Sequence, residues 1–96
     1  MSIAILRGAT IAIWKLLWTF DKEHPDRHLC DRITRMEVTL GEPGNDAIKV
    51  QIGLTGPSAR DLTDLTLLTL PAALQDSWEL KRVVALDGHT VQFTLV

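Results

Sequence analysis

The residues best suited to chemistry are concentrated in one stretch, from His24 to Asp31. His24, His28 and Cys30 are donors that zinc accepts, so a metal-binding regulator is one alternative function for the chain. Their spacing argues against it, because a helix beginning at Pro25 would project His28 and Cys30 from different sides. No second pair of ligands occurs elsewhere in the sequence. We therefore expect a solvated, salt-linked segment with no bound metal and no cofactor.

A catalytic constellation is equally hard to assemble. Cys30, His28 and Asp31 supply a nucleophile, a base and an orienting group, but such close sequence neighbours seldom meet in a productive geometry. The sequence also lacks a glycine-rich phosphate loop with its lysine. These observations predict a protein without enzymatic activity. The remaining carboxylate pairs are interpreted as solvated or capping groups: Asp61 with Asp64, and Asp21 with Glu23.

Charge and composition narrow the class of partner. Ten basic and twelve acidic residues give a net charge of −2, without the basic face that a nucleic-acid binder needs. A single cysteine and no signal-peptide pattern predict a cytoplasmic protein. The stretch Ile3–Phe20 is apolar, but Arg7 and Lys15 interrupt it, each costing about 2.5–3.5 kcal/mol at a bilayer centre. We therefore expect no membrane span.

The element that the sequence specifies best is a C-terminal hairpin over residues 79–96. The Asp87-Gly88 dipeptide separates two runs of strand formers and predicts a two-residue type I′ turn. This turn would place Arg82 opposite Phe93 on an apolar face, where it could stack on the ring or extend its head to the sheet edge. The other predicted cross-strand pairs are Leu86 with His89, Val84 with Val91, and Leu80 with Leu95.

The segment Thr10–Phe20 is compatible with a strand or a helix. Its tryptophan, isoleucine, threonine and phenylalanine residues favour a strand, which is our prediction. As a helix it would begin with Thr10 as N-cap and group one of two apolar sets. These sets are Ile11, Trp14 and Trp18, or Ile13, Leu16, Leu17 and Phe20.

The whole chain, residues 1–96, is predicted to form a single α+β domain dominated by an antiparallel sheet of hairpins and meanders, with one or two short helices. Turn-forming residues separate the segments. The remaining predicted segments are a weak strand at Ser2–Leu6, a short helix starting at Pro25 and carrying Leu29, Ile33 and Met36 on one side, strands at Arg35–Leu40 and Ala47–Leu54 joined by the loop Gly41–Asp46, a turn or short helix at Ser58–Thr63, a strand at Leu65–Leu70 and a helical turn at Pro71–Asp76.

The lack of site chemistry and the three tryptophans favour a binding protein, since tryptophan is enriched at interface hot spots. We expect a small non-catalytic module that binds another protein, as an inhibitor or immunity-type protein acting by steric occlusion. An alternative is a homo-oligomeric subunit of a phage or secretion assembly, or a homodimer, formed through an open edge strand. The candidate partner-binding residues are Trp14, Trp18, Phe20, Asp21, Glu23, Asp26, Arg27 and Arg82.

Overall fold

The structure is a computed structural model that describes residues 3–41 and 46–96, and these residues form four helices and four strands. The strands make one antiparallel sheet in the order β1-β2-β4-β3, which confirms the predicted α+β class. The helical part is larger than the one or two short helices expected. Residues 42–45 of the predicted loop lie outside the described residues. The elements are α1 (Ile3–Glu23), α2 (Leu29–Arg32), β1 (Ile33–Leu40), β2 (Ile48–Leu54), α3 (Ala59–Thr66), α4 (Ala72–Gln75), β3 (Leu80–Asp87) and β4 (Thr90–Leu95).

The strand prediction for Thr10–Phe20 is wrong, because this segment belongs to the long helix α1. One face of α1, here called its inner face, is buried against the sheet. Its residues recur at the three- and four-residue spacing of a helical stripe, which outweighs the weaker strand preference of the individual residues. They are Ala9, Ala12, Ile13, Leu16, Leu17 and Phe20.

The beginning of α1 also differs from the prediction. Residues 3–6 of the predicted strand Ser2–Leu6 are helical. Thr10 is therefore an interior residue and not an N-cap, and its hydroxyl donates to the carbonyl oxygen of Leu6 one turn earlier (3.0 Å). The strands that α1 contacts most are β2 and β1.

The two predicted strands on either side of the loop are confirmed as β1 and β2. Every second residue of β2 is buried, and these side chains define the helix face of the sheet, while the opposite side is its solvent face. Val91, Phe93 and Leu95 of β4 are fully buried on the same helix face. The core therefore lies between the central strands β2 and β4 and the inner face of α1. The alternating β2 residues are Ile48, Val50, Ile52 and Leu54.

The C-terminal hairpin forms, but its predicted register is wrong over most of its length. The two turn residues are Gly88 and His89, and neither Asp87 nor Gly88 has the positive φ that a type I′ turn requires. The Asp87 carboxylate instead accepts a hydrogen bond from the His89 N–H (2.8 Å). Register shifts in β3 then place Val83 opposite Phe93, and only Leu80 keeps its predicted partner, Leu95.

The helix predicted to run from Pro25 through Met36 is also wrong. It is replaced by a turn, the four-residue helix α2, and the start of β1 at Ile33. His28 adopts a left-handed backbone conformation (φ 52°), which interrupts any continuous helix. Because β1 takes Ile33 and Met36 into the sheet, the predicted helical stripe is divided between two elements.

Between β2 and β3 the chain is helical where a strand was expected. The short helix predicted near Ser58 is confirmed as α3, which extends to Thr66, and the helical turn after Pro71 is confirmed as α4. The predicted strand Leu65–Leu70 is wrong: Leu65 is buried in α3, while Leu67 is largely exposed. The burial of these leucines therefore follows the helical spacing of α3 and not the alternation of a strand.

Candidate functional site

The side of α1 that faces away from the sheet, here called its outer face, carries large apolar side chains in contact with solvent. Ile3, Ile11 and Trp18 are 67%, 53% and 60% exposed, although the inner face of the same helix is buried. Large exposed apolar groups on one surface are typical of an interaction site. The outer face consists of Ile3, Arg7, Ile11, Trp14, Lys15, Trp18 and Lys22.

The charge of the outer face has a single sign. Arg7, Lys15 and Lys22 are exposed, and none of the seven outer-face residues is acidic, although Asp21 and Glu23 flank Lys22 in α1. The other seven basic residues of the chain are set against twelve acidic ones, a net charge of −5. The positive charge of the outer face therefore contrasts with the acidic balance of the remaining chain.

A groove adjoins the outer face where α1 passes α4. It encloses about 420 Å³. Apolar atoms of Trp18 and Ala73 and the ring of Pro71 form much of its wall, with Lys15 and Lys22 at its border. Thr19 and Leu74 complete the lining. The groove can accept an apolar side chain presented by a molecule that lies along α1.

The aromatic residues predicted to contact a partner divide between the two faces of α1. Trp18 is exposed, and Trp14, whose ring centre lies 6.5 Å from that of Trp18, is half-buried against the core. Phe20 is fully buried on the inner face, so its predicted role at a partner surface is wrong. Trp78 is also half-buried, and it packs against α1 at Gly8, where an added Cβ would lie 3.3 Å from the indole.

Arg27, predicted to contact a partner, is instead buried in an ion-pair network. Its two terminal nitrogens bind the carboxylates of Asp61 and Asp64 on α3. The second oxygen of Asp61 accepts a hydrogen bond from Arg32 (2.7 Å). The guanidinium of Arg27 also lies over the ring of Phe20, 5.7 Å from its centre. The network joins the turn after α1 to α3.

The ionisation of Asp61 follows from these contacts. Burial disfavours its charged form, but hydrogen bonds from Arg32 and Arg27 outweigh this effect and hold the pKa of Asp61 below its ordinary value. The interpretation of Asp61 and Asp64 as solvated or capping groups is therefore wrong, because both are ion-paired to Arg27 and Asp61 is buried. Each carboxylate of the pair has a basic partner, so we assign the network a role in stability.

The remaining candidate residues are dispersed. Asp21 is a capping group, as interpreted, and its carboxylate accepts hydrogen bonds from the backbone N–H groups of Leu29 (2.8 Å) and Cys30 (2.9 Å) at the start of α2. Glu23 and Asp26 are exposed near the end of α1. Arg82 is exposed on β3.

The prediction that placed Arg82 opposite Phe93 is wrong. Arg82 lies opposite Thr94 on the solvent face of the sheet, because the register shift after Leu80 inserts an extra residue. An Arg82–Phe93 stack is therefore absent from the hairpin.

The candidate metal ligands do not converge. His24 stacks on Phe20 (ring centres 4.3 Å apart), and its Nδ1 lies 3.0 Å from the Phe20 carbonyl oxygen, while His28 is exposed. Within residues 3–41 and 46–96, no group of three histidine, cysteine or acidic side chains could hold a metal ion. Burial and the neighbouring Asp21 carboxylate raise the pKa of the Cys30 thiol to about 12. Cys30 is thus protonated at neutral pH and a poor ligand or nucleophile.

Five residues of the outer face were absent from the predicted binding set: Ile3, Arg7, Ile11, Lys15 and Lys22. A signal for them was present in the helical alternative, which grouped Ile11 with Trp14 and Trp18. The strand prediction did not reveal that residues four apart, such as Arg7, Ile11 and Lys15, lie together on one side of a helix.

No family model, curated protein or solved structure matches the chain. In length and composition, α1 is a helix that could cross a membrane. Its inner face, however, is part of the core, as the buried Leu16 and Leu17 illustrate. We therefore infer the role of the outer face from its exposed apolar and basic side chains.

Proposed function

We propose that this protein is a non-catalytic protein-binding module whose binding surface is the outer face of α1. The observation that carries the proposal is the exposure of Ile11 and Trp18 between three basic side chains on a helix whose opposite side is buried. A helical surface of this kind presents apolar anchors and charged groups in one row. The same row gives a partner both contact area and orientation.

A protein fits this surface better than a lipid bilayer does. An interfacial membrane helix separates its apolar and charged residues onto opposite faces. On α1 the opposite face is used by the core, and Arg7 lies between Ile3 and Ile11 within the same row. Such a mixture suits a partner surface on which acidic groups alternate with apolar ones.

The partner is expected to contribute acidic side chains and at least one apolar side chain. Carboxylates would pair with Arg7, Lys15 and Lys22, and the groove beside Trp18 would receive the apolar group. At about 1.5 Å per residue, the 21 residues of α1 extend for about 32 Å. Binding along this length would cover a strip of the partner, which supports an inhibitor acting by steric occlusion.

The proposal is tested by affinity purification of the tagged full chain from its source cells under mild conditions, with mass spectrometric identification. The variant that removes the binding surface is Ile11→Ala with Trp18→Ala, two exposed positions whose truncation should leave the fold intact. The matched control is Lys49→Ala, an exposed residue on the solvent face of β2. We expect one stoichiometric partner to bind the wild type and the control, and the double variant to bind it at least about 30-fold more weakly.

Two results would contradict the proposal. The first is a partner that the double variant retains as well as the control does, which would place the binding surface elsewhere. The second comes from sedimentation with vesicles of phosphatidylcholine and phosphatidylglycerol. If the wild type binds these vesicles, the double variant does not, and no protein is retained, the outer face recognises lipid.

A further inference from the structure

The strand β1 presents an open edge. In the described part of the chain the sheet order is β1-β2-β4-β3, so β1 has a paired neighbour on one side. Its pairing with β2 is regular from Arg35 to Leu40, without a bulge. An edge strand of this kind carries a row of free backbone N–H and C=O groups that can pair with another strand.

The other edge of the sheet, β3, is protected where β1 is not. Two register shifts interrupt β3, one after Leu80 and one after Ala85. Bulges twist an edge away from a new strand, and the adjacent charges of Lys81 and Arg82 also oppose pairing. Of the two edges, β1 is therefore the one suited to recruit a strand.

Two copies of β1 carry charges that are complementary to each other. Arg35 and Glu37 lie on the solvent face of the sheet, and their side chains are 51% and 58% exposed. Within one chain, Nη1 of Arg35 lies 3.8 Å from Oε1 of Glu37. If two copies of β1 pair antiparallel about a two-fold axis through Met36, each Arg35 lies directly opposite Glu37 of the other copy. An axis through Arg35 or Glu37 would oppose like charges. An axis through Val38 would place Glu37 opposite Thr39 and lose both ion pairs.

The same register joins the apolar sides of two copies. Residues opposite each other in antiparallel strands project to the same side of the sheet, so the helices of both copies lie on one face. On that face Met36 meets Met36 of the second copy, beside the half-buried Val38. Leu40, which is 48% exposed at the end of β1, also lies along this edge. In this register Val38 lies opposite Thr34 of the second copy, so the apolar contact across the axis is made mainly by the two Met36 side chains.

We propose that two copies of this chain associate through β1 into one continuous antiparallel sheet, with a two-fold axis at Met36 and reciprocal Arg35–Glu37 ion pairs. The residues involved are separate from the outer face of α1. Self-association is therefore independent of the partner binding proposed above. Each function can be lost while the other remains.

The ion pairs are tested by charge exchange in the full chain, measured by sedimentation velocity over a range of concentrations. We expect Arg35→Glu and Glu37→Arg each to raise the dimer dissociation constant roughly 10- to 30-fold, since each creates two like-charged pairs. The double variant R35E/E37R restores the opposite charges and should dimerise like the wild type. Lys49→Glu, on β2 away from the edge, is the control. Circular dichroism verifies that each variant is folded.

The position of the two-fold axis is tested by cysteine cross-linking. Opposed residues of antiparallel strands have Cα atoms about 4.5–5.5 Å apart, within disulfide range, so Met36→Cys should give a covalent dimer on oxidation. Val38→Cys should not, because in this register the two Val38 positions are offset by about 13 Å. A monomeric wild type at all concentrations, single variants that dimerise unchanged, a double variant that fails to recover, or cross-linking at position 38 in place of 36 would each overturn the proposal.

Discussion

The two faces of α1 are built from similar residue types but have different consequences. Leu16 on the inner face is 2% exposed, whereas Ile11 on the outer face is 53% exposed, although both are large aliphatic residues of one helix. Removing apolar area from water stabilises the fold, so the inner face contributes folding free energy. The outer face contributes little to that free energy in the isolated chain. Its apolar area remains available for a second molecule.

This difference separates stability from binding within a single element. Substitutions on the inner face should lower the free energy of unfolding, and substitutions on the outer face should lower affinity alone. The charged residues follow the same division. Arg27 is buried in the ion-pair network, while Arg7 and Lys15 are exposed, so charge changes should also divide into two classes.

The largest expected effect on stability comes from Leu16→Ala. Deleting a buried leucine side chain removes its transfer free energy and leaves a cavity in the core, at a cost of about 2–5 kcal/mol. Urea unfolding followed by tryptophan fluorescence measures the change. Ile11→Ala is the matched control on the outer face, with an expected loss of less than about 1 kcal/mol. Equal losses for the two variants would contradict the distinction between the faces.

A second loss is expected from Asp61→Asn, because the buried Arg27 then keeps only Asp64 as a charged partner. Breaking a buried ion pair on one side costs about 3 kcal/mol. The exposed Asp26→Asn serves as the control, with a change within about 0.5 kcal/mol. A neutral result for Asp61→Asn would mean that the network adds nothing to stability.

The pH dependence of wild-type stability provides a separate test of Asp61. Its folded-state pKa is lowered, so its contribution is present above the unfolded value of 3.8 and is lost as the pH falls through the lower folded value. Wild type should therefore become less stable in acid below about pH 4. The difference in unfolding free energy between wild type and Asp61→Asn should shrink over the same range. A difference that stays constant down to pH 2 would contradict the assigned pKa direction.

A small effect on stability is expected from Trp18→Ala. Most of the indole is exposed, and its contact with Trp14 is a tilted one at 6.5 Å, so we expect a loss of less than about 1 kcal/mol. Thermal unfolding measures this loss. The same variant should weaken partner binding strongly, which makes Trp18 the residue where binding and stability diverge most. A loss comparable to that of Leu16→Ala would assign Trp18 to the core instead.

The parts of the fold that the sequence predicts well are those with local, repeated signals. The alternation in β2 places Val50 and Ile52 on the buried face, and that alternation is visible without any tertiary information. Although the predicted Asp87-Gly88 turn does not form, the existence of the C-terminal hairpin follows from its two runs of strand formers. Its register does not, because bulges in β3 depend on how Val83 and Arg82 divide between the two faces once the helices are in place.

The features that could not be predicted depend on distant residues. The spacing of apolar residues in α1 permits a helix, but it does not exclude a strand. The sheet also needs an apolar cover, since an exposed sheet face would leave Phe93 in water, and this need favours the helix. The partners of Arg27, Asp61 and Asp64, lie 34 and 37 residues further along the chain, beyond any local pattern. The outer face was missed for the same reason, because it follows directly from the choice of helix.

The position of α1 in the order of the chain has a consequence for biosynthesis. The helix lies at the start of the described chain, whereas β4, a central strand of the core, lies at its end. On a ribosome, the apolar inner face of α1 is therefore synthesised about 70 residues before Val91 and Phe93, which belong to the same core. At about 5–20 residues per second, this interval lasts several seconds. During this interval the core that buries the inner face lacks one of its two central strands.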